Sequence, residues 1–337
     1  MTNLTTSYMG IELKNPIIVG ASELVSTPTN LNLLEEAGAA AVVYKSLYEE
    51  QLMLEAGQLK DDIEEYEDRN AEMISLFPHH DHAGATEHLI QLREARKRLH
   101  IPLFASINAI NIDTWVDFAQ QIEKTGVDGL ELNFYSVPSS FIQTGADIEK
   151  YQLEALKAVK AAVKIPVAVK LSPNYANPLY FIKQLDEAGA DAVILFNRFY
   201  QPEIDINTEE HIAKFNLSAN DENRQAIRFA GLLYGNINSS IIGNSGIHTG
   251  DDVIKLLLAG ADATQVVSTL YRHKIPYLSQ MLMDISVWMK AHNYESINDF
   301  KGKLSNKTLK DPFVYRRGQY IDLLLRSNET LNKSYLI

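Results

Sequence analysis

Two hydrophobic patterns alternate along the chain. In the first, an amphipathic stretch stops at a glycine and runs straight into an uninterrupted apolar segment. This happens at 35–44, 123–132, 186–195 and 258–267, with Gly38, Gly126, Gly189 and Gly260 at the joint. A helix that ends in a left-handed residue favours glycine there, because a Cβ is crowded in that conformation. The segment that follows is apolar on both faces, which suits a parallel strand covered by helices. In the second pattern a proline opens an apolar run: Asn15-Pro16-Ile17-Ile18-Val19, Ile101-Pro102-Leu103-Phe104-Ala105 and Ile165-Pro166-Val167-Ala168-Val169. Proline is tolerated at a strand start, where its missing N–H costs no ladder bond. Asn238-Ser239-Ser240-Ile241-Ile242-Gly243 repeats the pattern without the proline.

Interleaved, these runs predict strands at about 16–20, 40–45, 102–107, 129–134, 166–171, 192–197, 240–244 and 263–267. Helices are predicted between them at about 29–37, 84–99, 113–125, 148–163, 176–188, 222–235 and 250–258, with a last one at about 275–291. Eight βα units in succession predict an α/β (β/α)8 TIM barrel. An open doubly wound sheet is the rival architecture and carries G-x-G-x-x-G in its first turn. Here that turn is Gly20-Ala21-Ser22-Glu23. Three stretches exceed ordinary connection lengths. The second βα connection, 46–83, holds an acidic piece at 61–68 and then Leu76-Phe77-Pro78-His79-His80-Asp81-His82. The sixth connection, 198–221, is polar and runs into Phe215-Asn216-Leu217-Ser218. The third is a C-terminal extension after Leu304. No linker or low-complexity segment divides the chain, so a single domain is expected, with the barrel at about 15–291 and an appendage at about 305–337.

Composition removes whole classes of chemistry. The 337 residues contain no cysteine, so disulfides, Cys-ligated zinc, iron–sulfur clusters and a thiolate nucleophile are excluded within this chain. A net charge of −12 argues against a nucleic-acid partner. No run is apolar enough to cross a membrane, and the polar N-terminus reads neither as a signal peptide nor as an amphipathic anchor, so a cytoplasmic protein without a membrane partner is expected. A homodimer is the base-rate expectation for assembly. The adjacent His79, His80 and His82 point in different directions on any regular element and read as a polar loop, so no metal is expected.

On this fold the informative residues stand at the C-terminal strand ends. They are Ala21 and Ser22, Lys45 and Ser46, Asn108, Asn133 and Ser136, Lys170, Asn197, then Gly243-Asn244-Ser245-Gly246, and Ser268-Thr269. Two lysines, several amides and several hydroxyls make a donor-rich mouth suited to an anionic ligand. The Gly-rich turn 243–246, followed by a helix start, and Ser268-Thr269 after strand eight occupy the usual phosphate position of such barrels; tight turns alone are the plain alternative. Lys170 lies between Val169 and Leu171, so its ammonium is expected to be buried and to need an anionic or accepting partner, for which a bound ligand is a candidate.

In order and position, these motifs resemble the dihydroorotate dehydrogenase family. The resemblance runs from about Tyr8 to Ser305. It is carried by Gly10-Ile11-Glu12-Leu13-Lys14-Asn15-Pro16, Tyr44-Lys45-Ser46, Glu131-Leu132-Asn133, Val167-Ala168-Val169-Lys170-Leu171-Ser172-Pro173, Ile242-Gly243-Asn244-Ser245-Gly246-Ile247 and the closing Tyr294 to Gly302. The resemblance implies an FMN-dependent oxidoreductase acting on a CH–CH bond, oxidising dihydroorotate to orotate in pyrimidine biosynthesis. It implies FMN across the barrel mouth, its phosphate on Gly243, Asn244, Ser245, Gly246, Ser268 and Thr269. It also implies Lys170 at the flavin N1/O2 edge, and Ala21, Ser22, Lys45 and Ser46 along the ring. Asn133 and Asn197 would contact both flavin and substrate, with Lys45 also reaching the substrate; Arg198, where the family has a serine, is a candidate contact for a different anionic or amide-bearing ring. Ser136 falls where the family places its catalytic base, as Cys or Ser; an ordinary loop serine is the alternative.

The substrate half departs from the family pattern. The Pro-Asn that follows the base is Val137-Pro138 here. The N-x-x-G-L-x-N loop that grips orotate corresponds to residues near 72–79, without either Asn, and a serine after strand six is Arg198. Alternatives therefore remain: the same flavin chemistry on another anionic or amide-bearing ring, flavin binding without turnover, or a phosphate-binding barrel isomerase or synthase. The motifs name no electron acceptor.

Overall fold

The computed structural model describes residues 2–50, 52–53, 83–136, 141–198, 201–212 and 216–326. The acidic piece at 61–68, the loop 72–79, the histidine run and Val137-Pro138 lie outside the described residues. Strands β1 (Thr6–Tyr8) and β2 (Ile11–Leu13) form an antiparallel hairpin, with Tyr8 opposite Ile11. β3 (Ile17–Val19) and β4 (Ala41–Val43) follow, then a short β5 (Leu47–Tyr48). The series continues with β6 (Leu103–Asn108), β7 (Gly129–Phe134), β8 (Val167–Leu171) and β9 (Ala192–Leu195). A second hairpin, β10 (Glu203–Asp205) with β11 (Glu210–Ile212), lies in the sixth connection. β12 (Ser240–Asn244) and β13 (Ala263–Val266) complete the set.

Among the described residues, eight parallel strands close into a ring in the order β4, β3, β13, β12, β9, β8, β7, β6, and β6 pairs back to β4. This is the (β/α)8 barrel that the alternating patterns predict. The four joint glycines all have positive φ, from 87° at Gly126 to 125° at Gly260. Helix starts also follow from local chemistry. Helix Gly145–Ala162 begins earlier than periodicity predicts, because Thr144 and Asp147 form a capping box. Helices Pro28–Glu36 and Pro178–Glu187 each open with proline at the first turn behind a capping Thr27 or Asn177. Helix Ile112–Glu123 buries Trp115, Phe118, Ala119 and Ile122 against the outside of the barrel.

Two sequence expectations change. The run predicted at 40–45 supplies only β4, and a further short strand, β5, lies just beyond it and extends the sheet beside Ile107 and Asn108 of β6. The first hairpin closes the N-terminal end of the barrel. Thr6 Oγ1 donates to the Asp262 carbonyl and the Met9 N–H donates to Ser240 Oγ, both at strand starts. Tyr8, Met9 and Leu13 then pack on Ile18, Val43, Phe104, Ile194 and Ile242 inside the ring, with Tyr8 edge-on to Phe104 at 4.9 Å. The barrel floor is therefore an apolar plug, and the polar chemistry is confined to the other end. Beyond the barrel, helix Gly318–Leu325 lies on the surface and buries no side chain.

Candidate functional site

Strand alternation builds the site in layers. The inward residues Ala168, Ile242 and Ala263 belong to the apolar interior. Two positions further along the same strands stand Lys170, Asn244 and Gln265, and on β7 the inward pair is Glu131 then Asn133. The polar layer therefore tops the plug at the C-terminal mouth. Asn133 pairs with Lys170 in register, and Asn197 Nδ2 donates to Asn133 Oδ1 at 2.7 Å. The structure thus brings Asn133, Lys170 and Asn197 together, as the sequence predicts. Ser46 Oγ is hydrogen-bonded to Ser106 Oγ at 2.7 Å on the neighbouring strand.

The Lys170 ammonium is buried, as expected, and it has partners within the protein. Nζ donates to Gln265 Oε1 at 3.1 Å and lies 3.4 Å from Glu131 Oε1. Glu131 is fully buried, and its Oε2 accepts from Gln265 Nε2 at 2.5 Å. Gln265 carried a readable signal, a polar residue within an apolar strand, that sequence reasoning passed over.

At the strand-seven and strand-eight ends, the backbone turns sharply: Ser245 and Gly246 both have φ of 66°. A Cβ on Gly246 would sit 2.5 Å from the Asn223 nitrogen, so both conformation and space require glycine. Ser218, from the sixth connection, is the hub of this corner. Its Oγ accepts from the Gly246 N–H at 3.2 Å and donates to Ser268 Oγ at 3.0 Å. Its carbonyl contacts His248 Nε2 at 3.0 Å and accepts from Arg272 at 2.9 Å. Asn223 Nδ2 bridges the Gly246 carbonyl and Asp252 Oδ1. Thr269 is fully buried, and its hydroxyl donates to the His248 carbonyl. Burial pushes the Asp252 carboxyl up, but hydrogen bonds from Lys255, the His248 N–H and Thr249 outweigh it and hold Asp252 below the usual range. Asn244 Nδ2 and Ser245 Oγ both donate to the Phe196 carbonyl. Ser218 and Asn223 are long-range partners of the glycine turn that no local motif marks, whereas Asp252 is local and closes a capping box with Thr249.

The strand-two side is looser. A cleft of about 460 Å³ is lined by Ala21, Ser22, Lys45, Ser46, Tyr48 and His88, among others. Lys45 faces Glu23 at 3.9 Å, with Lys45 31% and Glu23 75% exposed. His88 is buried, its Nε2 has no hydrogen-bond partner, and burial followed by the Lys45 charge pushes it down to about 4. Glu49 ties the start of the long second connection to the next strand. It accepts from the Ile110 and Asn111 N–H groups, Asn111 Nδ2 and Thr114 Oγ1.

A second cleft, of about 440 Å³, opens beside Asn174, Asn197, Arg198, Glu222, Asn244 and Ser245. Arg198, expected to grip substrate, is engaged by protein groups: Nε lies 2.9 Å from Glu222 Oε2, Nη1 donates to the Asn216 carbonyl at 2.5 Å, and Nη2 to Gln201 Oε1 at 3.1 Å. Ser136 follows β7 at the mouth, half-buried, and makes no hydrogen bond among the described residues. Among those residues no group of His, Cys, Asp and Glu could hold a metal, and no helix is long and apolar enough to cross a membrane.

The sequence that builds this site matches a known family. The dihydroorotate dehydrogenase profile matches residues 3–289. The catalytic subunit of dihydroorotate dehydrogenase B (NAD(+)) from Thermoplasma volcanium is 28% identical over 308 residues, covering 90% of this chain and 98% of that one. The protein of the same name from Methanocella arvoryzae is 31% identical, covering 86% and 94%. Dihydroorotate dehydrogenase A (fumarate) from Lactobacillus delbrueckii subsp. bulgaricus is 28% identical, covering 65% and 72%. The chain therefore belongs to the dihydroorotate dehydrogenase family, flavin-dependent oxidoreductases that act on a carbon–carbon single bond.

Proposed function

We propose that this chain binds FMN at the barrel mouth and oxidises dihydroorotate to orotate. The observation that carries the reading is the placement of Lys170 beside Asn133 and Asn197 at the mouth of a barrel that the family profile spans. The donor set fits the cofactor. A buried cation and two amides stand at the centre of the mouth, and a left-handed glycine turn with clustered hydroxyls stands at its edge. The phosphate would rest on Gly243 to Gly246, Ser268 and Thr269, with Ser218 joining them because its hydroxyl already meets the Gly246 N–H. Ala21, Ser22, Lys45 and Ser46 would border the ring. Bound FMN supplies the acceptor for a hydride.

The protein groups account for the rest of the reaction. Ser136 Oγ takes a proton from one substrate carbon while passing its own hydroxyl proton to solvent, as the hydride leaves the adjacent carbon, and the single bond becomes double. The Lys170 ammonium offsets the negative charge that two-electron reduction brings to the mouth. Asn133 and Asn197 orient the ring by their amides. Family membership favours this reading over flavin binding without turnover and over a flavin-free isomerase or synthase.

A second reading, the same chemistry on another anionic or amide-bearing ring, is favoured by Val137-Pro138 in place of Pro-Asn and by Arg198. Arg198 would have to exchange Asn216 or Gln201 for such a substrate. One experiment separates these outcomes: a flavin spectrum of the purified protein, followed by anaerobic titration with dihydroorotate. Bleaching of the flavin by micromolar dihydroorotate is the expected result. Bleaching only at millimolar levels supports the second reading, and protein that neither carries nor takes up FMN overturns both.

A further inference from the structure

The fully buried Glu131 is not used by the chemistry above. It lies beneath Lys170, above the apolar plug, and a carboxylate in that place costs several kcal/mol of desolvation unless it is paired. Its partners form a closed triangle. Lys170 Nζ is 3.4 Å from Glu131 Oε1, Lys170 donates to Gln265 Oε1 at 3.1 Å, and Gln265 Nε2 donates to Glu131 Oε2 at 2.5 Å. The amide of Gln265 is oriented by this arrangement: its oxygen meets the cation and its nitrogen meets the anion. Glu131 Oε1 has no hydrogen bond of its own, and the hydroxyl of Tyr8 below it has none either. Burial first, and the Glu131 charge second, push the Tyr8 phenol well up, so it stays neutral and contributes no countercharge.

A hydrophobic set of the same volume is often at least as stable as a buried ion pair, so stability alone does not account for this triangle. Its electrostatic consequence does. A lone Lys170 would present a full positive charge to the mouth. With Glu131 fixed 3.4 Å away, the pair presents a dipole, positive end outward and no net charge.

We propose that Glu131, with Gln265 as bridge, is a positioning residue that limits the charge Lys170 presents to the flavin and so lowers the flavin's two-electron reduction potential. The proposal rests on the FMN reading. A ring whose reduced form were held by an uncompensated lysine would take electrons readily and release them slowly. Glu131 keeps the reduced form able to pass them on.

The test uses the FMN-loaded protein and two near-isosteric variants, with midpoint potential as the first readout. Sulfite affinity is the second: the sulfur lone pair of sulfite forms one N–S bond to the oxidised ring, the displaced electron pair stays on the ring as negative charge, and no separate reductant is needed. Glu131→Gln should shift the redox equilibrium at least tenfold toward reduced flavin, about +30 mV for a two-electron couple, and tighten sulfite binding by a similar factor. Gln265→Glu, which adds a second carboxylate, should shift both the other way. A role confined to stability would move the unfolding midpoint and leave both readouts alone. If Glu131→Gln fails to fold, the direction seen with Gln265→Glu decides. Parent protein without flavin overturns the functional reading. Flavin bound in folded variants whose potential and sulfite affinity stay within twofold of the parent overturns this proposal alone.

Discussion

The two sides of the barrel mouth are built differently. At the strand-seven and strand-eight ends, buried groups meet in pairs: Gly246 with Ser218, Ser218 with Ser268, Thr269 with His248, Asn223 with Asp252. At the strand-two and strand-four ends, Lys45 is 3.9 Å from an exposed Glu23, Ser136 has no hydrogen bond among the described residues, and His88 keeps a buried nitrogen without a partner. The long sixth connection, through Ser218, interlocks with the turn after β12 to fix the first side. On the second side, beside the connection 46–83 and the loop after β7, these three groups have few partners among the described residues. A cofactor that never leaves suits the first construction; a substrate that must come and go suits the second.

Four substitutions test this contrast. Gly246→Ala attacks the fixed side. It places a Cβ 2.5 Å from the Asn223 nitrogen and 2.9 Å from the Ala219 carbonyl, at positive φ. The strain and overlap should cost roughly 2–6 kcal/mol, read as a lowered urea midpoint together with lost FMN content. Ser136→Ala attacks the open side and should do the reverse: flavin content and urea midpoint unchanged, and reduction by dihydroorotate slowed roughly 10²–10⁴-fold. Unimpaired reduction would remove Ser136 as the base.

His88 tests the open side through pH. Its folded-state value lies below the ordinary 6.5, at about 4, so the unfolded chain takes up a proton that the folded chain refuses. Stability should therefore fall as pH drops from 6.5 toward 4, by about 3 kcal/mol at full shift. In His88→Phe that part of the acid sensitivity should vanish from a series of urea titrations. Lys45→Ala is the mildest change. The Lys45–Glu23 contact is largely solvated, so the urea midpoint should move by less than about 1 kcal/mol, while the dihydroorotate concentration needed for half-maximal reduction rises.

What the sequence made legible follows from the range of each interaction. Glycine after a helix and proline before a strand act within a few residues, and all eight barrel strands were readable from them. Lys170, Asn133 and Asn197 were readable because strand alternation and strand ends are local properties. Ser218 and Asn223 were not, and Gln265, though marked as a polar residue in an apolar strand, gave no sign of its partner. Ser218 acts on residues 28 and 50 positions away, and Lys170 reaches Gln265 across 95. Nothing near these residues in the chain announces such partners. Arg198 was legible as a charged residue at a strand end, but its contacts with Glu222 and Asn216 were not.

The hairpin that plugs the barrel floor joins the two ends of the chain in time as well as in space. Thr6 bonds to the Asp262 carbonyl, 256 residues later. At roughly 5–20 residues per second, a ribosome needs roughly 10–50 s to make the chain between them. Through that interval Tyr8, Met9 and Leu13 have emerged while the last two strands that enclose them have not. The nascent chain must therefore hold an apolar hairpin without its final cover for most of its own synthesis, so protection of these first residues during translation is a requirement written into the topology of the fold.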